Sequence, residues 1–456
     1  MFGKIKRLHF VGIGGAGMSG IAEILHNLGF QISGSDITPS EITGYLEELG
    51  IEFTSAHLAA NLKNTDVVVI SSAVGEDNPE VVEARRRGIP VIKRAEMLGE
   101  LMRLKFSVGV AGTHGKTTTT SMIASIMRHA KLEPTIIVGG IVAGLGTGAA
   151  LGAGEHLIAE ADEYDRSFLA MFPSMAVVTN IEPDHLDCYD DFDHLCESFL
   201  VYMNRVPFYG SVVINADDQH LGRLKHRIAR PFTTFGFDPE ADYRALNLEM
   251  GETGSTFAVY RRGDLLGSIA VRVPGKHNVA NALAAIATCF ELDVPFEKIV
   301  EGLATFSGVG RRFEIVGEAA DIVVADDYAH HPTEIEATLQ MAREVFDRRV
   351  IVVYQPHLYS RTKQFYKEFA EALSIADKAL LVDIYPAREE PIEGVTSELI
   401  VQEGRRLGGD FDLVGPRQNM AKAVSAIARP GDLVITMGAG SVTLERQNVL
   451  EALRTR

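Results

Sequence analysis

Short runs of β-branched and other apolar residues alternate with helix-like segments along almost the whole chain. Several of these runs are apolar at every position, which is typical of strands buried on both faces in a parallel sheet. The alternation of such strands with helices predicts a doubly wound α/β fold. The clearest predicted strands are Leu8–Val11, Val67–Ile70, Ser107–Val110, Leu157–Ala161, Ala176–Asn180, Val212–Asn215, Ile322–Ala325, Val350–Tyr354, Ala379–Asp383 and Leu433–Thr436.

A chain of 456 residues is too long for one hydrophobic core and predicts about two to four domains, and three blocks can be distinguished along it. A first block ends after the helix-like segment Ala95–Arg103, and a second opens with the strand before Gly112 and reaches about Gly310. Within the second block, glycines that mark turns in Asp242–Val273 predict antiparallel strands. We therefore place the domains at residues 1–104, 105–310 and 311–456.

Composition and charge argue against several classes of protein. The formal net charge of −17 argues against a nucleic-acid partner, although a local basic pocket would still admit small anionic substrates. No apolar run is long enough to span a bilayer, and the basic N-terminus lacks the apolar stretch of a signal peptide. The three cysteines show no paired spacing, so we predict no disulfide framework. We expect a cytoplasmic protein, monomeric or weakly dimeric, with no membrane partner.

The strongest local motif is a glycine loop between a strand and a helix. Gly112-Thr113-His114-Gly115-Lys116-Thr117-Thr118 follows the apolar run Phe106–Val110 and precedes a helix-like stretch. Backbone N–H groups and the helix dipole then point to one place, where Lys116 can reach nucleotide phosphates and the Thr117 hydroxyl can bind Mg²⁺. Val110 occupies the position of the first glycine of the usual pattern, so the loop is a short variant. The motif predicts an ATP site.

A second glycine loop lies near the N-terminus. Gly12-Ile13-Gly14-Gly15-Ala16-Gly17 follows Leu8–Val11, and Asp36 ends the next strand-like stretch, where dinucleotide folds place a ribose-binding acid. Taken alone, this fingerprint predicts NAD binding. Any diphosphate fits the same turn, and a chain with a separate ATP loop has less need of a nicotinamide. We favour a site for a nucleotide-linked substrate, with an NAD-dependent oxidoreductase as the alternative.

Acidic and histidine side chains follow two strands of the predicted second domain. Glu160 ends one strand, and His185 follows the strand Ala176–Asn180. Because parallel sheets hold ligands at the carboxyl ends of their strands, both are candidates to join Thr117 around Mg²⁺, although magnesium prefers oxygen ligands. A solvated acidic loop is the alternative for Glu182–Asp193. For Glu160 we favour function, because a carboxylate near the end of an apolar strand is unfavourable without a partner.

Four polar motifs lie in the last part of the chain: His277-Asn278-Val279-Ala280-Asn281, Arg311-Arg312-Phe313-Glu314, Asp326-Asp327-Tyr328-Ala329-His330-His331-Pro332 and Gln355-Pro356-His357-Leu358-Tyr359-Ser360-Arg361. The last two directly follow apolar strands, and they predict a pocket of acids and bases for a small polar ligand. Together with His9–Gly15, Gly112–Thr117 and Ala159–Asp165, these segments resemble the Mur ligase family, which builds the peptide stem of peptidoglycan. The resemblance extends nearly from end to end.

The resemblance implies a three-domain α/β enzyme. An N-terminal Rossmann-like domain would bind a UDP-sugar, a central P-loop ATPase domain with a mostly parallel sheet would bind ATP and Mg²⁺, and a C-terminal Rossmann-like domain would bind an amino acid. The implied reaction joins L-alanine to the lactyl carboxylate of UDP-N-acetylmuramate through an acyl phosphate.

The resemblance also implies a role for individual residues. The sugar nucleotide would contact Gly14, Gly15, Ala16, Gly17, Asp36, Ser71 and Arg94. ATP would contact the residues from Gly112 to Thr118, Asn278, Asn281 and Arg312, and the metal would be bound by Thr117, Glu160 and His185. His330 and Arg361 would face the amino acid, and the catalytic set would be Lys116, Glu160, His185, Arg312, Asp327 and His330.

Three positions depart from the family pattern, and two alternatives stay open. Leu358 stands where the family usually has an arginine that helps bind the amino-acid carboxylate, so a fork-shaped cation is missing. Ala329 and Ser441 replace the usual glycine and aspartate.

One alternative function is that of a related recycling ligase that adds a whole tripeptide, whose sequence the string Glu160–Asp165 resembles. The other is a catalytically weak UDP-sugar sensor that retains ATP binding, against which the intact phosphate-loop and metal residues argue.

Overall fold

The computed structural model describes residues 3–139, 148–184, 188–387 and 389–455, which form three β-sheets flanked by helices. Contacts within the chain group it into two compact units. The first comprises Met1–Leu248, Thr256–Val271 and Asn278–Ser307, and the second comprises Glu249–Ser255, Arg272–His277 and Gly308–Arg456. Within the described ranges, no helix combines the length and the apolar character needed to cross a membrane. The boundaries that we place near residues 104 and 310 stay predictions.

The first sheet is parallel throughout and carries the Gly12–Gly17 loop at its centre. Its strands are β1 (Arg7–Val11), β2 (Gln31–Ser35), β3 (Glu52–Thr54), β4 (Val67–Ile70) and β5 (Val91–Lys93), and its helices are α1 (Ala16–Asn27), α2 (Glu41–Glu48), α3 (Pro79–Arg86) and α4 (Arg94–Met102). The strand order is β3-β2-β1-β4-β5. The chain reverses direction across the sheet after β1, and such a reversal leaves a crevice for ligands at the carboxyl ends of the strands.

The second sheet holds the phosphate loop between two buried parallel strands. Its strands are β6 (Phe106–Ala111), β7 (Thr135–Ile137), β8 (Ala149–Ala150), β9 (His156–Glu160), β10 (Met175–Val178), β11 (Ser211–Asn215), β12 (Phe232–Gly236), β13 (Tyr243–Gly251), β14 (Gly254–Arg261) and β15 (Asp264–Val271). The accompanying helices are α5 (Lys116–His129), α6 (Phe192–Asn204), α7 (Gln219–Leu224), α8 (Lys276–Glu291) and α9 (Phe296–Thr305). The order is β15-β14-β13-β12-β11-β10-β6-β9-β7-β8, so β6 lies between β10 and β9.

The predicted antiparallel patch is the β13–β14–β15 end of this sheet. Two-residue turns join the neighbouring strands, and connections this short allow only antiparallel pairing. Arg262 and Gly263 have φ values of 50° and 94°, as the second turn requires at both central positions. The turn predicted from Gly263 therefore lies where the structure has the β14–β15 hairpin.

The third sheet is buried on both faces. Its strands are β16 (Glu314–Ala319), β17 (Ile322–Asp327), β18 (Arg349–Tyr354), β19 (Lys378–Val382), β20 (Phe411–Gly415) and β21 (Asp432–Met437), and its helices are α10 (Pro332–Val345), α11 (Tyr359–Leu373), α12 (Glu398–Arg406), α13 (Met420–Ile427) and α14 (Arg446–Arg454). The order is β16-β17-β21-β18-β19-β20, and only the β16–β17 pair among those described is antiparallel. Alternate residues of β18 enter separate hydrophobic clusters on the two faces, Val350 and Val352 on one and Ile351 and Val353 on the other.

Candidate active site

Two glycines give the phosphate loop its shape. Gly112 has a φ of 133°, and Gly115, the N-cap residue of α5, has a φ of 83°. Residues with a side chain are strained at both values. A β-carbon on Gly115 would lie 2.5 Å from Asn281 Oδ1, and one on Gly112 would overlap the Thr179 hydroxyl. The loop therefore requires glycine at both positions, and it places the N-terminus of α5 beside Asn281 of α8.

The segment after β10 holds the phosphate loop by hydrogen bonds, most of them to backbone atoms of the loop. The His114 N–H donates to Asn180 Oδ1 over 2.8 Å, and the Thr113 N–H donates to the Asn180 carbonyl over 3.1 Å. The Thr179 hydroxyl and the Asn180 amide donate to the His114 carbonyl over 2.5 and 3.1 Å. The Glu182 N–H donates to Thr113 Oγ1 over 2.9 Å. These hydrogen bonds hold the loop in one defined conformation.

Lys116 is paired with a buried carboxylate inside the loop. Its Nζ donates to the carbonyls of Gly112 and Thr113 over 2.7 and 3.2 Å. It also lies 2.7 and 3.0 Å from the two carboxylate oxygens of Glu163, whose side chain is only 1% exposed. Asp162 is more distant, at 4.0 Å, and 44% exposed. Because an ammonium has three protons, these contacts use every donor of Lys116.

Burial and neighbouring charge set the ionisation of this pair. Burial lowers the pKa of Lys116, but the carboxylates of Glu163 and Asp162 more than offset that effect, so its pKa is raised overall. Burial raises the pKa of Glu163 to about 7, with Asp162 acting in the same direction and the Lys116 ammonium opposing it. A phosphate that binds the loop would therefore compete with Glu163 for the same ammonium. Sequence reasoning gave Glu163 no role, although its position at the end of the Glu-Ala-Asp-Glu string was a signal.

Glu160 lies at the carboxyl end of β9 and offers an oxygen atom to a cation. Its Oε2 accepts the Gly139 N–H over 2.5 Å, whereas its Oε1 is buried and has no hydrogen-bond partner among the described residues. Burial raises the pKa of Glu160, and the Thr117 hydroxyl and the Gly139 amide oppose the rise. A buried oxygen of this kind next to a threonine hydroxyl fits Mg²⁺. His185, the third predicted ligand, lies outside the described residues.

The two predicted adenosine-binding asparagines lie on one face of α8, as their three-residue spacing requires. Asn281 Nδ2 donates to Asn278 Oδ1 over 3.4 Å, and the Thr119 hydroxyl of α5 donates to Asn281 Oδ1 over 3.3 Å. The structure therefore brings both asparagines to the start of the phosphate-loop helix. Their contact with adenosine stays a prediction.

The loop after β1 gathers the residues predicted to bind the sugar nucleotide. The Gly14 N–H donates to Asp36 Oδ2 over 3.0 Å, so the predicted ribose-binding acid also holds the loop. A β-carbon on Gly17 would lie 3.0 Å from Arg94 Nη1, which places a guanidinium over the first turn of α1.

The same loop approaches the end of β4. A β-carbon on Gly12, whose φ is 79°, would lie 3.2 Å from the β-carbon of Ser71. Gly15 is the N-cap residue of α1, and Ala16 is its first residue. The backbone N–H groups at this helix start, together with Arg94, make a suitable place for a diphosphate.

A buried polar network supports the strand beside this loop. Glu80 of α3 is fully buried, and His9, Ser35, His57 and Asn61 contact its two carboxylate oxygens at distances of 2.6 to 3.1 Å. Burial raises the pKa of Glu80, but these hydrogen bonds more than offset the effect, so its pKa is lowered. Sequence reasoning missed Glu80, because an acidic residue in the first turn of a helix is also typical of an exposed helix start.

In the second compact unit, Asp327 holds two backbone N–H groups. Its Oδ2 accepts from Phe313 and its Oδ1 from Ala329, both over 2.7 Å. Phe313 and Arg311 have φ values of 46° and 61°, so one of these bonds fixes a strained stretch of backbone. Burial raises the pKa of Asp327 to about 6, and the Arg312 guanidinium opposes the rise. In this structure Asp327 is a positioning residue, and its contact with phosphates stays a prediction.

His330 is held by a carboxylate one helical turn further along the chain. Its Nδ1 lies 3.1 Å from Glu334 Oε2 and 3.1 Å from the Tyr328 carbonyl oxygen. Glu334 Oε2 also accepts the backbone N–H groups of His330 and His331 over 3.0 and 3.3 Å, and Arg312 Nη1 lies 3.4 Å from Glu334 Oε1. Sequence reasoning missed Glu334, although its position three residues after the N-cap residue of α10 matches a capping box.

The start of α11 carries the departure from the family pattern. Leu358 precedes the helix with a φ of 70°, and its N–H donates to the Tyr385 carbonyl over 3.0 Å. The His357 ring stacks on Tyr385 with centroids 5.6 Å apart, and the His330 ring lies 6.0 Å from His357. Arg361 is buried in the first turn of the helix, with 9% of its surface exposed. The structure therefore brings His330 to His357, while Leu358 offers no charge in place of the usual arginine.

Three family models match the chain in sequence order. The model described as "Mur ligase family, catalytic domain" matches residues 7–106. "Mur ligase middle domain" matches residues 110–289, and "Mur ligase, glutamate ligase domain" matches residues 311–440. Each match covers most of one of the three sheets.

Curated relatives are similar over their whole length. A UDP-N-acetylmuramate–L-alanine ligase from Geobacter sp. (strain M21) is 52% identical over 456 residues, which cover 100% of this chain and 99% of the relative. A protein of the same name from Geotalea uraniireducens (strain Rf4) is 50% identical over 455 residues, with 100% and 99% covered.

Solved structures share the architecture. The crystal structure of a UDP-N-acetylmuramate–alanine ligase from Thermotoga maritima matches with a TM-score of 0.83 at 30% identity, covering 98% of this chain and 99% of that one. A murein peptide ligase from Psychrobacter arcticus 273-4 matches with a TM-score of 0.71 at 27% identity, covering 99% of each chain. The predicted three-domain α/β fold is confirmed.

Proposed function

The chain belongs to the Mur ligase family, and from that premise we propose that it joins L-alanine to the lactyl carboxylate of UDP-N-acetylmuramate, using ATP, in peptidoglycan precursor synthesis. The observation that carries this proposal is the 52% identity, over the full length, to a relative that bears the name of that activity. The phosphate loop with its intact Lys116 supports the use of ATP.

The first step makes the carboxylate reactive. A carboxylate resists attack by an amine because it is an anion and lacks a good leaving group. Transfer of the γ-phosphoryl group of ATP to a carboxylate oxygen gives an acyl phosphate, whose phosphate can leave. Lys116 would turn from Glu163 to the phosphate oxygens and disperse the charge that develops on them.

The buried Oε1 of Glu160 and the Thr117 hydroxyl would hold Mg²⁺, with His185 as the third predicted ligand. When bound, the ion would neutralise phosphate oxygens during the transfer.

The glycine loop of the first sheet would hold the sugar nucleotide. The N-terminus of α1 and the Arg94 guanidinium would bind the diphosphate, since both present positive charge next to Gly17. Asp36, which accepts the Gly14 N–H, would contact the nucleoside.

The second compact unit would bind the amino acid. Its carboxylate would pair with the guanidinium of Arg361, and its amino group would face His330. The amine would attack the carbonyl carbon of the acyl phosphate, form a tetrahedral oxyanion and expel phosphate.

Phosphate release from ATP in the presence of UDP-N-acetylmuramate tests the proposal. L-Alanine, glycine, L-serine and the stem tripeptide are compared, and each product is identified by its mass. Release that depends on L-alanine is expected from the wild type and not from Lys116→Ala. Dependence on the tripeptide instead would assign the chain to recycling. Tight binding of the sugar nucleotide without phosphate release in the presence of any amino acid would indicate a sensor. Binding of a nicotinamide would favour an NAD-dependent oxidoreductase instead.

A further inference from the structure

The proposed ligation creates a need for a base. Near neutral pH an amino acid carries its amino group mostly as an ammonium, which has no lone pair with which to attack a carbonyl carbon. A side chain that accepts one proton as the amine attacks would raise the rate, and removal of such a base typically costs about 100-fold to 10,000-fold in rate.

The contacts of His330 fix the position of its ring proton. Both atoms near Nδ1 are acceptors, a carboxylate oxygen of Glu334 and the carbonyl oxygen of Tyr328, each at 3.1 Å. A neutral imidazole carries one N–H, and only a proton on Nδ1 satisfies these two acceptors. The lone pair therefore lies on Nε2, which has no hydrogen-bond partner among the described residues.

Glu334 is itself held in place. Its Oε2 accepts the N–H groups of His330 and His331 at the start of α10, and its Oε1 faces Arg312. The Glu334 side chain is 11% exposed, so these contacts are only weakly screened by water. A carboxylate in this position orients the imidazole and stabilises the imidazolium that forms when Nε2 accepts a proton.

The other groups around His330 leave its Nε2 accessible. The ring of Tyr328 meets it edge-on at 5.2 Å, and the ring of His357, from the loop after β18, lies 6.0 Å away. Arg311 and Arg312 approach the Tyr328 ring at 4.8 and 5.1 Å, so they bring positive charge to this neighbourhood. The His330 side chain is 18% exposed, which is enough to meet a small ligand.

We propose that His330 is the general base of the ligation step and that Glu334 is its positioning residue. This inference rests on the proposed function. His330 Nε2 takes one proton from the ammonium, and the nitrogen lone pair then forms the C–N bond as the carbonyl becomes an oxyanion. When the oxyanion collapses, the C–O bond to phosphate breaks, and the leaving phosphate takes the second proton of the amine. His330 returns its proton to solvent before the next turnover.

A comparison of two nucleophiles isolates the step that needs a base. Hydroxylamine is already neutral at pH 7 and traps an acyl phosphate as a hydroxamate, whereas L-alanine first has to lose a proton. His330→Asn keeps an N–H donor near the position of Nδ1 and removes the lone pair of Nε2. We expect this variant to lose about 100-fold or more in kcat/KM for L-alanine. Its rate of hydroxamate formation from UDP-N-acetylmuramate and ATP should stay within a factor of three of wild type.

The two failures are distinguishable. If the wild type makes no hydroxamate, the proposed function is wrong. If the wild type makes it and His330→Asn loses hydroxamate and L-alanine product to the same extent, the general-base assignment is wrong and His330 is structural. Full L-alanine activity in His330→Asn would also overturn the assignment.

Glu334→Gln tests the positioning role through the same pair of nucleophiles. It removes the carboxylate that orients the imidazole, so kcat/KM for L-alanine should fall about tenfold or more while hydroxamate formation stays within a factor of three of wild type. Glu336→Gln is the matched control, because it makes the same change on the exposed face of the same helix, where Glu336 accepts a hydrogen bond from Gln340. Equal losses of L-alanine product and of hydroxamate in Glu334→Gln would show that Glu334 only caps the helix.

Discussion

At the scale of single residues, Gly115 combines two constraints that no other amino acid satisfies. Its φ is 83°, and a β-carbon would lie 2.5 Å from Asn281. We expect Gly115→Ala to weaken ADP binding by at least 100-fold, measured by isothermal titration calorimetry. Gly222→Ala is the control, because no atom lies within 4 Å of its added carbon in α7. That change should leave affinity unaltered and stabilise the protein by about 0.5–1 kcal/mol. Normal ADP affinity in Gly115→Ala would contradict the geometry described for the loop.

Glu163 gives nucleotide affinity a dependence on pH. Bound phosphate repels the ionised carboxylate and takes Lys116 from it, so binding favours protonated Glu163. Because the pKa of Glu163 is about 7, affinity should fall as the pH rises from 6 to 8, by up to about tenfold per unit above the pKa. Glu163→Gln removes the carboxylate, so the ratio of wild-type to variant Kd for ADP should increase over the same interval.

The control for this measurement is Asp162→Asn, since Asp162 is 4.0 Å from Lys116 and its side chain is 44% exposed. The ratio also cancels the titration of ADP itself, which is common to both proteins. Weaker binding of ADP by Glu163→Gln at every pH would mean that Glu163 is needed to position Lys116. The proposed competition between Glu163 and phosphate for the Lys116 ammonium would then be wrong.

The roles of residues that lie in a sequence motif were predictable, and the roles of residues that act by contacting a distant side chain were not. Lys116 and the glycines around it follow from strand, loop and helix spacing alone. Glu163 and Glu334 become meaningful only when folding brings them to Lys116 and His330. Glu80 is a further case, because its four partners come from β1, β2 and the segment between β3 and β4.

At the scale of elements, the carboxyl edge of the first sheet should bind the sugar nucleotide independently of ATP. Arg94 opens α4 beside the first turn of α1, and charge-assisted hydrogen bonds of this kind contribute about 1.5–3 kcal/mol. Arg94→Ala should therefore raise the Kd for UDP-N-acetylmuramate about tenfold or more and leave the Kd for ADP unchanged. Lys93→Ala removes a neighbouring cation that pairs with Asp165 and should leave both constants near wild type. Equal effects of the two variants would remove Arg94 from the site.

Buried strands with a continuous apolar run were predictable from the hydrophobic pattern, whereas strands of mixed composition were less clear. All ten clear apolar runs lie on strands whose ends agree within a few residues, since both faces of such strands exclude water. The strands β2 and β16 lack such runs. The sequence of β2 is Gln-Ile-Ser-Gly-Ser, and β16 lies at a sheet edge with several positions partly or fully exposed. Their pairing comes from neighbouring strands and not from their own composition.

At the scale of the whole molecule, the two compact units should unfold in separable transitions, because each contains its own hydrophobic cores. ADP at about 100 times its Kd should stabilise the unit that carries the phosphate loop by about 2.7 kcal/mol. Differential scanning calorimetry should show one transition move upward and the other stay. Gly115→Ala, which we expect to bind ADP at least 100-fold more weakly, identifies the responsive transition. A single transition that moves as a whole would show that the units unfold together.

The number of sheets was predictable, but the grouping of the first two predicted domains was not. Motifs and glycine turns separate the blocks along the chain. The grouping depends on side-chain contacts between segments that are far apart in sequence, such as Lys93 with Asp165, and periodicity does not encode these.

The pairing of Lys116 with Glu163 has a consequence for inhibitors. A phosphate mimic has to separate this buried pair, and it carries charge that hinders passage through a bacterial envelope. A compound that fits over the closed pair needs no anionic group, because Glu163 already supplies the negative partner of the Lys116 ammonium. Uncharged drug candidates should therefore be sought against the loop with Lys116 and Glu163 paired, in which Glu163 holds the ammonium that a phosphate would bind.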